Sequence, residues 1–421
     1  MEWSGVCRSV GVALVAVCLL PGCRLTEGLV AKAPPEEHGQ PLECEQETSP
    51  RPSAPTNPVR DDSAPEDSEG LLDEKPHERP KPPAPPSPPR PDLPRGGIRR
   101  DSRRLSVGGQ TVAVTVLDVP LGSFTLKLGL AKDRVGCTES LAAIARRHRA
   151  VAAINGCFFD AYSDRPVRNP YGNLISDGGL LHTSDHPTTL GVWPDGTVAI
   201  GRVRFRVEGR ALHRVLGYQR WYAYGLNDYP EGQTWATIYT PQWSQGRTPT
   251  GLWAIVRNGC VAGKGQGSIA IPPDGYVAFC CGREAQLHKR FDVGQECTYQ
   301  LTAESADDLD WLSAQEALGC GPLLVRNGEV CADPQAEGFR DPKILTNAGN
   351  RSAVGLTGDG HLLMITSSSA TTSQLAQAMK ALGCRSAMNL DGGASSGLFH
   401  QEAYLTRPGR DISNALLVLS R

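Results

Sequence analysis

The chain has no apolar run long enough to cross a bilayer as a helix: the stretch Val10 to Leu20 near its start has eleven residues, against the ~20 that a span requires. It has almost no net charge, −2 over 421 residues, so nucleic-acid binding lacks its electrostatic footing. No Cys-x-x-Cys pair and no histidine cluster has zinc spacing, which makes a metal site the weaker use of its 13 cysteines. No cofactor is expected, although a bound metal ion stays open. From Arg24 to Arg104 there is no Phe, Trp or Tyr, while 18 of the 33 prolines fall there. Such a segment has nothing with which to build a core.

What is present divides the chain into three. The apolar run ends in Leu20-Pro21-Gly22-Cys23, which reads as a signal peptide over 1–23 and resembles the lipobox of bacterial lipoproteins, with Cys23 lipidated after cleavage. Pro21, and an n-region with only Arg8 against Glu2, depart from that pattern, and plain secretion is the alternative. Residues 24–104 read as a disordered Pro-rich tether, spanning between ~50 Å as a coil and ~250 Å fully extended. Residues 105–421 hold nearly all the aromatics and suffice for a single large catalytic domain. The expected location is outside the cytoplasm: a lipoprotein anchored to the membrane in a bacterial cell envelope, or else a secreted protein. Nine cysteines remain in the domain, so an oxidising compartment would permit up to four disulfides, whose pairing the spacing does not set.

Within the domain, Thr111 to Val119 and Phe124 to Leu130 alternate as strands expected to pair around a Pro-Leu-Gly turn. Glu139 to Arg149 has helical spacing behind a Thr138 cap, and Thr371 to Gly383 repeats that spacing up to a glycine stop. Further strands are expected at Thr197 to Val207, Gly251 to Val256 and Gly275 to Phe279. Strands mixed with a few helices predict an α+β fold of mixed and antiparallel sheets.

The densest chemistry lies in Ala387 to Phe399, AMNLDGGASSGLF. Met388 and Leu390 carry a strand inward, Asp391-Gly392-Gly393 reverses it, and Ser395 and Ser396 add hydroxyls. The bland reading is a hairpin with an Asp-Gly turn; the functional one is a carboxylate beside exposed N–H groups, suited to a sugar or an anion. Three other polar stretches accompany it: Asn155-Gly156-Cys157-Phe158-Phe159-Asp160 after a buried strand, the Gly172-Asn173-Leu174-Ile175 loop, and Asn350-Arg351 before a strand. Cys320 to Gly328 reads as a strand entering a hairpin, and Ile412-Ser413-Asn414 opens the final strand.

In this order, NG-x-FF, GNLI, GPLLV-x-NG, NR-x-AVG, a helix, NLDGG-x-SS and SNALLV resemble the phosphodiester glycosidase family over Leu105 to Arg421. The resemblance implies hydrolysis of a sugar-1-phosphate diester at its glycosidic bond, with a sugar-1-phosphodiester or envelope glycan as partner. Cys157 and Ala394 stand where the family usually has glycine, and their Cβ atoms are expected to narrow the pocket.

The chemistry also has its own logic. An oxocarbenium-like transition state calls for a carboxylate at the anomeric carbon, for which Asp391 is the candidate. A phosphomonoester needs donors for its developing charge more than it needs a proton, and Arg351 offers a guanidinium fork. Asn155 and Asn389 are assigned to sugar hydroxyls or an acyl group, and Gly392, Gly393, Ser395 and Ser396 to the phosphate. Gly156, Asn173 and Asn414 complete the substrate-binding set, with Asp160 as a second carboxylate. Two alternatives stay open. One is a phosphodiesterase that attacks phosphorus. The other is a non-catalytic envelope carbohydrate-binding module using aromatics such as Trp221, Tyr222 and Trp235.

Overall fold

Alternating apolar and polar residues give strands along most of the chain in the computed structural model, which describes residues 93–230 and 232–421. The signal segment, Cys23 and most of the expected tether lie outside the described residues. Strands make up 49% and helices 12% of the structure, arranged as four sheets, so the fold is β-rich and the α+β expectation is overturned. The physical reason is that helical spacing is confined to two short stretches. They form Leu141–Arg147 and Thr372–Ala381, joined by the one-turn helix Pro342–Leu345, and no helix among the described residues is long and apolar enough to cross a membrane.

One seven-stranded sheet runs, edge to edge, through Arg99–Val107, Gln110–Pro120, His361–Ala370, Gly349–Thr357, Cys384–Asn389, Leu323–Arg326 and Glu329–Val330, every pair antiparallel. A five-stranded sheet orders Ala403–Thr406, Leu398–His400, Ala152–Asn155, Asn414–Ser420 and Phe124–Leu130. The third sheet is built on the 16-residue strand Val198–His213 and the fourth on Gly251–Arg257 and its hairpin partner Cys260–Gly267. Gln110–Pro120 and Phe124–Leu130 are strands as expected, but they belong to different sheets and do not pair. Leu121 N–H donates to Gly360 O at 3.2 Å, so the chain at the Pro-Leu-Gly turn is tied to the first sheet rather than folded back as a hairpin.

One hydrophobic cluster draws on all four sheets, through Leu117, Ile154, Leu190, Phe279 and Met388 among others, all buried. Each such side chain contributes ~1.5–3 kcal/mol by leaving water, so the core holds the sheets against one another. Local signals behave as the sequence predicts at Asn258-Gly259 and Asn327-Gly328, where left-handed backbone closes two hairpins. Thr371 caps its helix in a full capping box with Gln374. The cap of the first helix is Ser140, two residues later than the expected Thr138, because it is Ser140 Oγ that accepts from Ala143 N–H. All nine cysteines among the described residues are free thiols, and no disulfide joins any two of them. Cys280 and Cys281 sit side by side on one strand, where alternation turns consecutive side chains to opposite faces.

Candidate active site

Asp391 lies where the chain leaves one sheet for another. Cys384–Asn389 is an inner strand of the seven-stranded sheet, whereas Leu398–His400 pairs with Ala152–Asn155 in the five-stranded one. The stretch is therefore a crossover and not the hairpin that an Asp-Gly turn suggests. Met388 and Leu390 point into the core and anchor its start; Leu398 and Phe399 anchor its end. Between them Gly393, at φ +59°, opens a single 3-10 turn over Gly393–Ser395. Glycine is needed at 392 for another reason: a Cβ there would lie 2.7 Å from Asn350 O and 3.2 Å from Arg351 Nη1.

The crossover is pinned from the Asn155 side. Asp391 N–H donates to Gly156 O at 3.0 Å, and Asn155 Nδ2 donates to Asp391 O at 2.7 Å. Asn155 Oδ1 accepts from Ser352 Oγ at 2.7 Å and from Gly397 N–H at 2.9 Å. One buried amide thus ties together the crossover, its exit and the strand that carries Arg351. The Asp391 carboxyl keeps some exposure toward a cleft of about 630 Å³, and it accepts hydrogen bonds from Ser395 and from Gly392 N–H. Desolvation by the surrounding protein outweighs those bonds and the Arg410 charge, and pushes its pKa from 3.8 up to about 6.

Arg351 lies on the same cleft and is only 4% exposed. Its Nη2 donates to Lys343 O and Asn347 O, both at 2.6 Å, which holds the 343–347 loop against the strand. Its Nε has no partner, and no carboxylate pairs with it among the described residues. Burial alone lowers its pKa. A desolvated cation with no counter-ion, facing a cleft, is poised for an anion.

Apart from Phe158, which belongs to NG-x-FF, several cleft residues have no motif in the sequence. Arg410 and Lys343 flank the exposed ring of Tyr162, their cations 4.6 Å and 5.6 Å from its centre, and the Tyr162 hydroxyl is bonded to Arg410 Nη2. Phe158 and Phe339 meet edge to face at 5.7 Å, and His186 stacks on Phe339 at 4.2 Å. The available signal for Arg410 was its place in Gly409-Arg410-Asp411, just before the Ile412-Ser413-Asn414 motif. Nothing local distinguishes His186 or Lys343.

The remaining predicted site residues are distributed otherwise. Gly392, Gly393 and Ser395 line the cleft with Asp391 and Arg351, as does Ala394. Asn155 does not reach substrate, because its amide is committed as described. Gly156 lies so close to Asn414 that a Cβ would meet Asn414 Oδ1 at 1.9 Å. Asn414 accepts from Cys157 N–H at 3.0 Å and donates to Ser413 Oγ at 2.8 Å, within the core. Asn173 is fully buried and bonds Thr189 Oγ1, Val203 O and Ser184 N–H. Asn389 donates to Gly321 O at 2.9 Å beneath the cleft, with its Oδ1 unpaired, and Ser396 Oγ is likewise buried without a partner. Asp160 accepts from Ser163 N–H at 3.2 Å and from its hydroxyl, and lies 3.8 Å from Arg165, all within its own loop. Cys157 sits behind the wall, 2% exposed, its thiol pushed up to about 12 by burial; only Ala394 of the two expected intrusions faces the cleft. Among the described residues no group of three or more His, Cys, Asp or Glu side chains could hold a metal ion.

Residues 250–419 match the phosphodiester glycosidase family. No curated protein sequence matches the chain. Among solved structures, a hypothetical protein from Synechocystis superposes with a TM-score of 0.66 at 24% identity, over 77% of this chain and 62% of that one. The chain thus spans less than two thirds of that protein's length. A protein from Burkholderia pseudomallei K96243 superposes with a TM-score of 0.61 at 20% identity, covering 73% of this chain and 74% of its own. The catalytic domain of zebrafish N-acetylglucosamine-1-phosphodiester alpha-N-acetylglucosaminidase, auto-inhibited by its pro-peptide, aligns over 79% of this chain and 85% of its own, at 15% identity and a TM-score of 0.42.

Proposed function

Proceeding from the phosphodiester glycosidase match of residues 250–419, we propose that this chain hydrolyses the glycosidic C–O bond of a sugar-1-phosphate diester. The observation that carries the reading is the pairing, on one cleft, of a desolvated carboxyl at Asp391 with a buried guanidinium at Arg351 that has no carboxylate of its own. Each is costly to bury without a partner of opposite charge. Together they match a substrate that develops positive charge at carbon and negative charge at phosphate.

At neutral pH, Asp391 is ionised above its pKa of about 6, and its carboxylate faces the anomeric carbon. The C1–O bond breaks and its electron pair leaves with the phosphomonoester. Water supplies the new oxygen on C1, and its proton ends on Asp391 or the released phosphate. Arg351 supplies the buried positive charge that receives the phosphate; Arg410 and Lys343 supply further positive charge at the rim. Asn155 and Gly156 act as positioning residues that fix the Asp391 backbone. Export to a cell envelope belongs to the same proposal, supported by the signal-like apolar run that ends at Cys23.

The test is hydrolysis of a sugar-1-phosphodiester in oxygen-18 water. Label in the released sugar supports C–O cleavage, whereas label in the phosphate assigns a phosphodiesterase. Binding of substrate with no turnover under any condition would leave the carbohydrate-binding alternative.

A further inference from the structure

A second cleft, of about 1010 Å³, shares Tyr171 and His186 with the first as lining residues. Its wall carries aromatic rings in an arrangement unlike a core. Tyr222 and Tyr224 alternate onto one face at the end of strand Gly217–Ala223, and they are 40% and 48% exposed. Ala223 between them turns inward, as does Trp221 just before, which is buried against Phe291, so neither is part of that surface. Both tyrosine hydroxyls donate to the same buried carboxylate, Glu284, at 2.8 Å and 2.7 Å, and Trp235 packs edge-on against Tyr224 at 5.3 Å. The hydroxyls are tied to Glu284, while both tyrosines stay exposed and line the cleft with Trp235.

Rings held in this way have already lost their rotamer freedom, so a ligand that stacks on them does so without that cost. Around the shelf the charges are of both signs: Asp185, Glu208 and Asp228 against Arg204 and Arg206, of which Arg206 is paired with Glu304. That balance gives a polyanion no net attraction. A ligand with apolar ring faces and hydroxyls that both donate and accept satisfies the shelf and its rim together.

We infer that this cleft is a glycan subsite, stacking neutral sugar rings on Tyr222, Tyr224 and Trp235 that are attached to the diester cleaved at Asp391. The inference rests on the proposed glycosidase reading for the attachment, and it makes the substrate an oligomeric sugar phosphate rather than an isolated capped sugar. The shared Tyr171 and His186 place the two clefts side by side, so a chain of sugars running past them occupies both.

Binding of neutral oligosaccharides needs no hydrolysis and so separates the two readings. The whole protein is titrated, by intrinsic tryptophan fluorescence and calorimetry, with glucose, mannose, galactose and N-acetylglucosamine oligomers of two to six units. At least one series is expected to bind, with affinity rising with length, and Tyr224→Ala is expected to weaken it at least 10-fold. Tyr224→Phe, which keeps the ring and loses only the tie to Glu284, should retain most of it and guards against a folding defect in the alanine variant. Failure of every series to bind, or equal binding by wild type and Tyr224→Ala, overturns the subsite. Oligosaccharide binding lost in Tyr224→Ala by a protein that cleaves no diester leaves the subsite standing and removes the glycosidase reading.

Discussion

Asp391 concentrates the conflict between stability and chemistry in one side chain. Its carboxyl has a pKa of about 6 in the folded chain against 3.8 for an ordinary aspartate, so folding binds a proton across that window. Stability therefore falls as pH rises from 3.8 to about 6, and the ionised group costs up to ~3 kcal/mol above it. Replacing Asp391 with Asn removes the charge. The melting temperature is expected to rise at about pH 7.5 and to gain nothing at about pH 3.5, while kcat drops at least ~10³-fold. A variant that melts earlier at the higher pH would show that the carboxylate is stabilising, contrary to this account. For the wild type, kcat/KM should climb through about pH 6 as the carboxylate forms. Arg351 has two duties, and its substitution should report both. Arg351→Lys keeps a charge but cannot span the carbonyls of Lys343 and Asn347 and still meet a phosphate. Thermal stability and kcat/KM should fall together, and the kinetic defect should shrink for substrates with a better leaving group, such as a nitrophenyl phosphate.

At the scale of elements, the site depends on how strands approach one another. The Ala152–Asn155 strand passes so near the final strand that Gly156 has no room for a methyl group, its Cβ position being 1.9 Å from Asn414 Oδ1 and 2.9 Å from Asn414 O. Gly156→Ala is expected to destabilise by ~2 kcal/mol or more, and to cut activity as well, because Gly156 O holds Asp391 N–H. Chemical denaturation and kinetics on the same preparation separate the two effects. The Thr372–Ala381 helix serves as a control. Its capping box satisfies two orphan N–H groups, so Thr371→Ala should cost ~1 kcal/mol with kcat unchanged, since Thr371 does not line the cleft and its side chain bonds only Gln374 of its own helix.

For the whole molecule, the first strand reaches further toward the start of the chain than the Leu105 boundary read from composition. Arg99–Val107 pairs along its length with Gln110–Pro120, and Arg99 meets Asp118 at 2.6 Å. Pro94 O accepts from Gly122 N–H at 3.0 Å. A chain beginning at Leu93 should fold with full activity per molecule. One beginning at Leu105 loses most of an edge strand and leaves the backbone groups of Val114–Asp118 unpaired along that edge, and should melt several degrees lower by differential scanning calorimetry. Equal melting temperatures for the two would return the boundary to Leu105.

Much of this was legible locally. The Asn-Gly hairpins, the Thr371 cap, the inward Met388 and Leu390 and the prominence of Asp391 all follow from preferences that act over a few residues, where backbone sterics and alternation decide the outcome. The α+β expectation failed because helical spacing stands out over two stretches, whereas strands as short as Glu329–Val330 and Leu398–His400 carry too little alternation to be read locally. The asparagine motifs were legible as motifs but not as roles: an amide that could hold a sugar hydroxyl is chemically the same as one that ties Asp391 to Ser352. Which it does depends on what lies within hydrogen-bond reach, and for Asn155 that means residues up to 242 positions away.

By itself, then, the sequence determined the position of the Asp391 carboxyl, the Arg351 guanidinium and the strands beside them, since each needs only its own neighbours. Only the tertiary structure decided that Asp391 sits on a crossover between sheets, that Arg351 is buried without a counter-ion, and that Arg410, Lys343 and His186 join them. Burial and the choice of partner are properties of chain segments brought together from far apart, and no local pattern encodes them.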